Sequence, residues 1–167
     1  LVVPIQGALV PVLKMFISFT EKTGIEISGQ YAAAWFVHSA FAMPLAIYIL
    51  RNYMMTIPNS LIEAARMDGA SNFTIFWRLV LPISVPALAS FAIFQFLWVW
   101  NDYLIAFVFV GNERPVLTYT LLAMLGQYGE GWQAVAAGSF ISMSVPLLIF
   151  FSLQRYFVRG LTAGAVK

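Results

Sequence analysis

Four stretches of this chain stay apolar over a length that suits a membrane-crossing helix, about 20 residues. They are residues 1–19, 31–50, 83–110 and 133–153. The first is interrupted by Pro4, Gly7, Pro11 and Lys14, the second holds His38 and Pro44, the third Asn101 and Asp102, and the fourth Pro146. None of them alternates polar and apolar residues as a barrel strand would. Helices are therefore the expected form, since lipid offers no water to an unpaired backbone group. Between the second and third runs lies a polar, charged island, Glu63-Ala64-Ala65-Arg66-Met67-Asp68-Gly69-Ala70-Ser71-Asn72.

Composition agrees with this pattern. Of 167 residues, 61% are hydrophobic and 10% charged, against about 25% charged in a typical soluble domain. A water-soluble core of this size cannot hide so many apolar side chains, so the bilayer must solvate some of them. The formal charge is +2 with no basic tract, which gives no reason to expect nucleic acid as a partner. The absence of cysteine excludes disulfides, thiolate metal sites and cysteine nucleophiles. The chain starts at Leu1 without a Met, and no basic stretch precedes the first apolar run, so it reads as a cut through a longer protein and not as a signal peptide.

Arg51, Arg66, Arg78, Arg155, Arg159 and Lys167 fall in residues 51–82 and in the tail 154–167. The opposite loops, about 20–30 and 111–132, carry Lys22 and Arg114 together with Glu21, Glu26, Glu113 and Glu130. The positive-inside rule puts the polar island and the C-terminus in the cytoplasm. With an even number of crossings, Leu1 starts there too. Tyr31, Trp132 and Tyr156 suit the membrane interfaces, and Lys14 suits snorkelling to the outer one. In the fourth run Ala134, Gly138 and Ser142 share a face that lets another helix approach closely, which ordinary intramolecular packing explains. Gly160 and Gly164, among polar residues, read as turn glycines.

The island, about 57–82, has the marks of a helix–turn–helix. Pro58 and Asn59 break the chain. Ser60 and Glu63 have capping-box spacing ahead of a helix from about Ser60 to Met67. Asp68-Gly69 is a turn signal, and Ser71 or Asn72 suits the cap of a second helix. On that helix Phe73, Phe76, Trp77 and Val80 form an apolar stripe. Leu81-Pro82 closes it. On local chemistry alone, Glu63 is a cap, Asp68-Gly69 a turn, and the stripe a face resting on lipid headgroups.

The whole pattern says more. Glu63-Ala64-Ala65, three residues, Gly69, nine residues, then Leu79-Val80-Leu81-Pro82 resembles the EAA loop of ABC-transporter permeases, with Leu79 where Ile is usual. Trp100-Asn101-Asp102-Tyr103-Leu104 resembles a stretch common in the carbohydrate-uptake class, and Gln154-Arg155 with Gly160 to Lys167 resembles its C-terminus. The resemblance implies an all-α integral membrane protein. It would have four transmembrane helices and a cytoplasmic coupling loop, and would be a fragment of a six-span type I importer domain lacking the first two spans.

The same resemblance implies a multi-pass subunit of a prokaryotic inner membrane that imports a sugar or oligosaccharide and is not itself an enzyme. Glu63, Ala64, Ala65, Asp68, Gly69, Leu81 and Pro82 would couple it to ABC ATPase subunits. The alanines allow close approach, and Glu63 can meet a basic or N–H-rich surface. The chain has no P-loop, so it should carry no cofactor or catalytic residue, with ATP and Mg held by the partner. A second homologous permease and an extracytoplasmic solute-binding protein complete the implied assembly.

Polar groups within the bilayer are costly and face protein or water. Gln95, Trp98, Trp100, Asn101, Asp102 and Tyr103 are thus candidates for the substrate path, since hydroxyls and C–H faces of a sugar suit amides, carboxylates and rings. The same Asn101-Asp102 pair also suits a helix break held against neighbouring spans. His38 reads as bonded to a neighbouring helix and not as a metal ligand or proton relay. A permease for a polyol, osmolyte or peptide fits the EAA loop as well. An intramembrane enzyme would have to be built from His38 and Asp102, which lie on different segments, and a passive channel would not need the loop.

Overall fold

The computed structural model describes residues 5–111, 113–125 and 131–163, with side chains through residue 154. Among these all regular structure is helical. The helices are α1 (Ile5–Thr23), α2 (Tyr31–Met54), α3 (Asn59–Met67), α4 (Asn72–Ile83), α5 (Val85–Trp100), α6 (Leu104–Phe109), α7 (Leu117–Ala123) and α8 (Trp132–Ala163). They fall into two compact units, residues 1–43 with 97–147 and residues 44–96 with 148–167.

The first unit has a core of Leu9 and Phe16 from α1, Ala33, Ala34 and Val37 from α2, and Ile105, Phe109 and Val110 in and just after α6. Phe16 and Phe109 meet edge to face, their centroids 5.7 Å apart. The α1–α2 connection is tied to α6 by the Gly29 N–H, which donates to the Phe109 carbonyl at 2.8 Å. Gly24, with φ 70°, ends α1 in the left-handed conformation that a side chain disfavours. On α8, a Cβ at Gly138 would come within 2.5 Å of Leu121 Cδ2. One member of the small-residue face is thus filled from α7, the ordinary packing the sequence allowed for.

In the second unit Ile57, Ile75, Ala87 and Ile93 are buried. The outward faces of the long helices stay apolar: Trp35, Phe36, Tyr48, Phe140, Ile141 and Leu148 are all exposed. That is the arrangement expected of side chains solvated by lipid.

Several expectations meet a different backbone. By length and composition two described helices can cross a membrane, Tyr31–Met54 and Trp132–Gln154, and a third crossing is available if Asn72–Ile83 and Val85–Trp100, bent by 65°, count together. α1, with Lys14, Glu21 and Lys22, is not among them. The expected single run at 83–110 is interrupted at Asn101–Tyr103, so α5 and α6 are separate helices. α8 continues past residue 153 and takes in Gly160, where a turn was expected. A glycine weakens a helix interior by only about 1 kcal/mol relative to Ala, and the preceding turns already carry the helix. Pro4 and the loop residues around Glu130 lie outside the described residues, as does the end from Gly164 to Lys167.

Phe109 is fully buried, whereas Phe36 is 60% exposed. In a bilayer the transfer term largely cancels because lipid is as apolar as the core, which leaves the cavity and lost contacts. Phe109→Ala is expected to destabilise the full-length parent protein by about 1–3 kcal/mol. Phe36→Ala should stay within about 0.5 kcal/mol of the parent. Thermal unfolding of the two variants in nanodiscs measures the contrast.

Candidate functional site

The polar island folds as an elbow of two helices, α3 and α4. Pro58, with ψ 132°, stands just before α3 in extended conformation and makes no side-chain cap. The capping box expected of Ser60 and Glu63 is therefore not formed. α3 begins at Asn59, one residue early, and Ser60 sits inside the first turn where its hydroxyl has no cap to make. The other end follows closely from the sequence. The Gly69 N–H donates to the Arg66 carbonyl and the Ala70 N–H to the Ala65 carbonyl, both at 3.0 Å. With Gly69 at φ 80°, this is a Schellman ending. It gives the Ala65-to-Gly69 spacing a physical cause, because the glycine must sit four residues past the carbonyl that the following N–H reaches.

Ser71 then caps α4, its Oγ accepting from the Thr74 N–H at 3.2 Å. From Phe76 to Val80 the helix widens to a π turn, in which the Leu81 N–H reaches back to the Phe76 carbonyl. Such turns are rare and often functional. Pro82, which offers no N–H, stands just beyond it. The stripe read from the sequence is present but uncovered: Phe73 is 73%, Phe76 42% and Trp77 51% exposed. Trp77 contacts the rings of Phe73 and Phe76. Ile75, which the stripe leaves out, is the buried residue. Glu63, Ala64, Asp68, Gly69 and Pro82 are exposed, while Ala65 and Leu81 are half-buried.

A second polar cluster occupies the break between α5 and α6. Tyr103 stands immediately before α6 without capping it. The cap comes from Asp102, one residue earlier. Its Oδ1 accepts from the Ile105 N–H at 3.2 Å and its Oδ2 from the Ala106 N–H at 3.0 Å. His38 Nε2 of α2 lies 3.5 Å from Asp102 Oδ2, both side chains being 9% exposed. Thr118 of α7 donates its hydroxyl to the Asp102 carbonyl at 2.6 Å. Asn101 is exposed and donates its Nδ2 to the Leu97 carbonyl at 2.7 Å. Trp98 meets the His38 ring edge-on. Tyr103 stacks with Phe107 and with Tyr119, their centroids 5.5 and 6.2 Å away.

Of the six path candidates, the break thus gathers Trp98, Asn101, Asp102 and Tyr103. Trp100 is half-buried at the end of α5. Gln95 falls in the other unit, its Oε1 buried with no hydrogen-bond partner among the described residues. The sequence missed Thr118, Tyr119 and Phe107. The first two lie in what reads as an external loop, and only the short apolar run Leu117-Thr118-Tyr119-Thr120-Leu121 hints at packing. His38 behaves as expected of a residue bonded to a neighbour, and the neighbour is the Asp102 carboxylate.

Binding-protein-dependent transport system inner membrane components match residues 2–163. The chain belongs to that family. Among its relatives are the alpha-glucoside transport system permease protein AglG of Rhizobium meliloti, 51% identical over all of this chain and 44% of the relative. The osmoprotective compounds uptake permease protein GgtD of Synechocystis is 50% identical over all of this chain and 55% of its own length. The melibiose/raffinose/stachyose import permease protein MelC of Bacillus subtilis is 31% identical over all of this chain and 59% of its own. The chain spans about half the length of these family members.

The Asp102 cap makes a specific prediction. Asp102→Asn keeps one of the two acceptor oxygens and should destabilise the protein less than Asp102→Ala does. Asp102→Ala leaves two N–H groups unpaired and is expected to cost about 1 kcal/mol. Unfolding curves of both variants, measured side by side, decide it.

Proposed function

We propose that this chain is the membrane-spanning part of an ATP-driven importer subunit, carrying a sugar or oligosaccharide across a prokaryotic inner membrane. The observation that carries the reading is the elbow. It is a rigidly capped helix pair with an exposed Glu63-Ala64 face and an uncovered aromatic surface, joined to apolar helices at both ends. A separate ATPase subunit, holding ATP and Mg, would dock there. Ala64 lets its backbone come close, Glu63 meets a basic or N–H-rich surface, and Phe73 and Trp77 supply apolar contact. Arg51, Arg66 and Arg78 are all exposed and favour the cytoplasmic side for this face.

The mechanism needs the ATPase to bind the elbow differently in its open and closed states, since only a difference in affinity or position moves an equilibrium. The Schellman ending and the Ser71 cap let α3 and α4 move together. Displacement then passes along α5 to the break at Asn101–Tyr103, where access alternates between the two membrane faces. Both Asp102 oxygens serve the α6 backbone, so contact with solute falls to Asn101 and the Tyr103 ring. Glu63, Ala64, Ala65, Asp68, Gly69, Leu81 and Pro82 serve coupling. A second homologous permease and an extracytoplasmic solute-binding protein complete the assembly. The names of AglG and MelC support sugar as the cargo. The name of GgtD supports a second reading, an osmolyte, at nearly the same identity as AglG.

The test is uptake by the full-length parent protein co-purified with its genetic neighbours and reconstituted in vesicles. Gly69→Pro forces φ towards −65° where 80° is needed, and Glu63→Lys reverses the charge of the docking face. Each should lower ATP-dependent uptake by roughly tenfold or more while membrane insertion persists. Normal uptake in both would discredit the coupling role. Mass spectrometry of solute released from the purified binding protein separates sugar from osmolyte.

A further inference from the structure

The joint between α4 and α5 bends by 65°, and it is met by a contact from another helix. Pro82 and Pro86 have no N–H, which removes the usual α-helical donors to the Arg78 and Pro82 carbonyls. The Ser84 N–H is shared between the Val80 and Leu81 carbonyls, at 3.0 and 3.1 Å. The Ser84 side chain is completely buried, yet its Oγ has no hydrogen-bond partner among the described residues. A buried hydroxyl without a partner raises the energy of the conformation that creates it. The 65° bend is also reached by a contact from outside the helix.

One such contact comes from Tyr53, in the last turn of α2. Its hydroxyl donates to the Ile83 carbonyl at 3.1 Å, across thirty positions of sequence. The Tyr53 carbonyl is itself held by the Thr56 hydroxyl at 2.7 Å. Tyr53 stands where the chain enters the elbow, and Ile83 where it leaves. The bond closes the elbow into a ring, with α3 and α4 on the covalent side and one hydroxyl on the other.

We propose that Tyr53 is a positioning residue for energy coupling, whose hydroxyl clamps the exit of the elbow to its entrance so that α2 and α5 are displaced together. Without the clamp, motion imposed on α3 and α4 is absorbed at the Ser84 joint and does not reach the apolar helices. The inference rests on the importer reading given above and adds a residue outside the Glu63–Pro82 pattern.

The experiment compares the parent complex with Tyr53→Phe, which removes a single oxygen, and with Ser84→Ala, which removes a hydroxyl that bonds to nothing described. Vesicles containing the whole complex are given ATP with labelled sucrose, and in a second arm labelled glycine betaine. Solute moved per ATP hydrolysed is recorded. Tyr53→Phe is expected to assemble normally and keep hydrolysing ATP, while solute moved per ATP falls about tenfold. Ser84→Ala is expected to match the parent. A parental ratio in Tyr53→Phe overturns the clamp and leaves the importer reading intact. Loss of assembled complex in Tyr53→Phe makes the residue a folding element and also overturns it. An unmutated complex that neither hydrolyses ATP nor takes up either solute overturns the importer reading, and the clamp with it.

Discussion

A backbone amide inside hydrocarbon has no water to turn to, and that constraint bears on the two breaks that flank α5. The apolar run from Ile83 to Val110 departs from a simple helix at Ser84 and again at Asn101–Tyr103. At each place, side chains stand in for the missing turn. Asp102 supplies two acceptors to α6, Thr118 donates to the Asp102 carbonyl, and Tyr53 donates to Ile83. The carboxylate is the costliest of these groups to bury. It is also the best served, with two N–H groups and His38 around it. Asp102, Thr118 and Tyr53 are thus first of all answers to the backbone.

The elbow was largely legible because its chemistry is local. A positive-φ glycine, a serine cap and a run of helix formers act within a few residues, and the sequence shows them directly. The error at the front of α3 has the same origin. Ser60 and Glu63 have capping-box spacing, but Pro58 is already fixed in extended conformation, and the helix starts at the next residue. The apolar stripe was visible as a period. Its fate was not, since whether Phe73 and Trp77 are covered depends on what lies across from them. The residue that is buried, Ile75, breaks the period, and the π turn that follows shifts the facing of everything up to Leu81.

The break at Asp102 was half legible. A charged residue in an apolar run announces a special environment, but not which one. The partners that decide it come from α2 and α7, sixty-four and sixteen positions away in sequence. His38 and Asp102 look like separate oddities until the fold sets them 3.5 Å apart. Thr118 and Tyr119 carry no mark beyond the flanking Leu117 and Leu121, because nothing in a loop-like stretch reveals that a hydroxyl will meet a backbone carbonyl or that two tyrosine rings will lie parallel.

The two irregularities at the ends of α5 differ in a way that bears on how force travels. At Asp102 the freed N–H groups are met by a side chain three and four residues away, and the same residue is engaged by Thr118 of α7 and His38 of α2. At Ser84 the Ile83 carbonyl is met by a tyrosine on a different helix, and the local hydroxyl finds no partner among the described residues. Between them α5 is a rod of sixteen residues, about 24 Å at 1.5 Å each, which can tilt but not stretch. A rod met by neighbouring helices at both ends, through Thr118 and His38 at one and Tyr53 at the other, has little choice of pivot. In the proposed mechanism the tether moves the rod, and the Asp102 cap keeps its own hydrogen bonds to the α6 backbone.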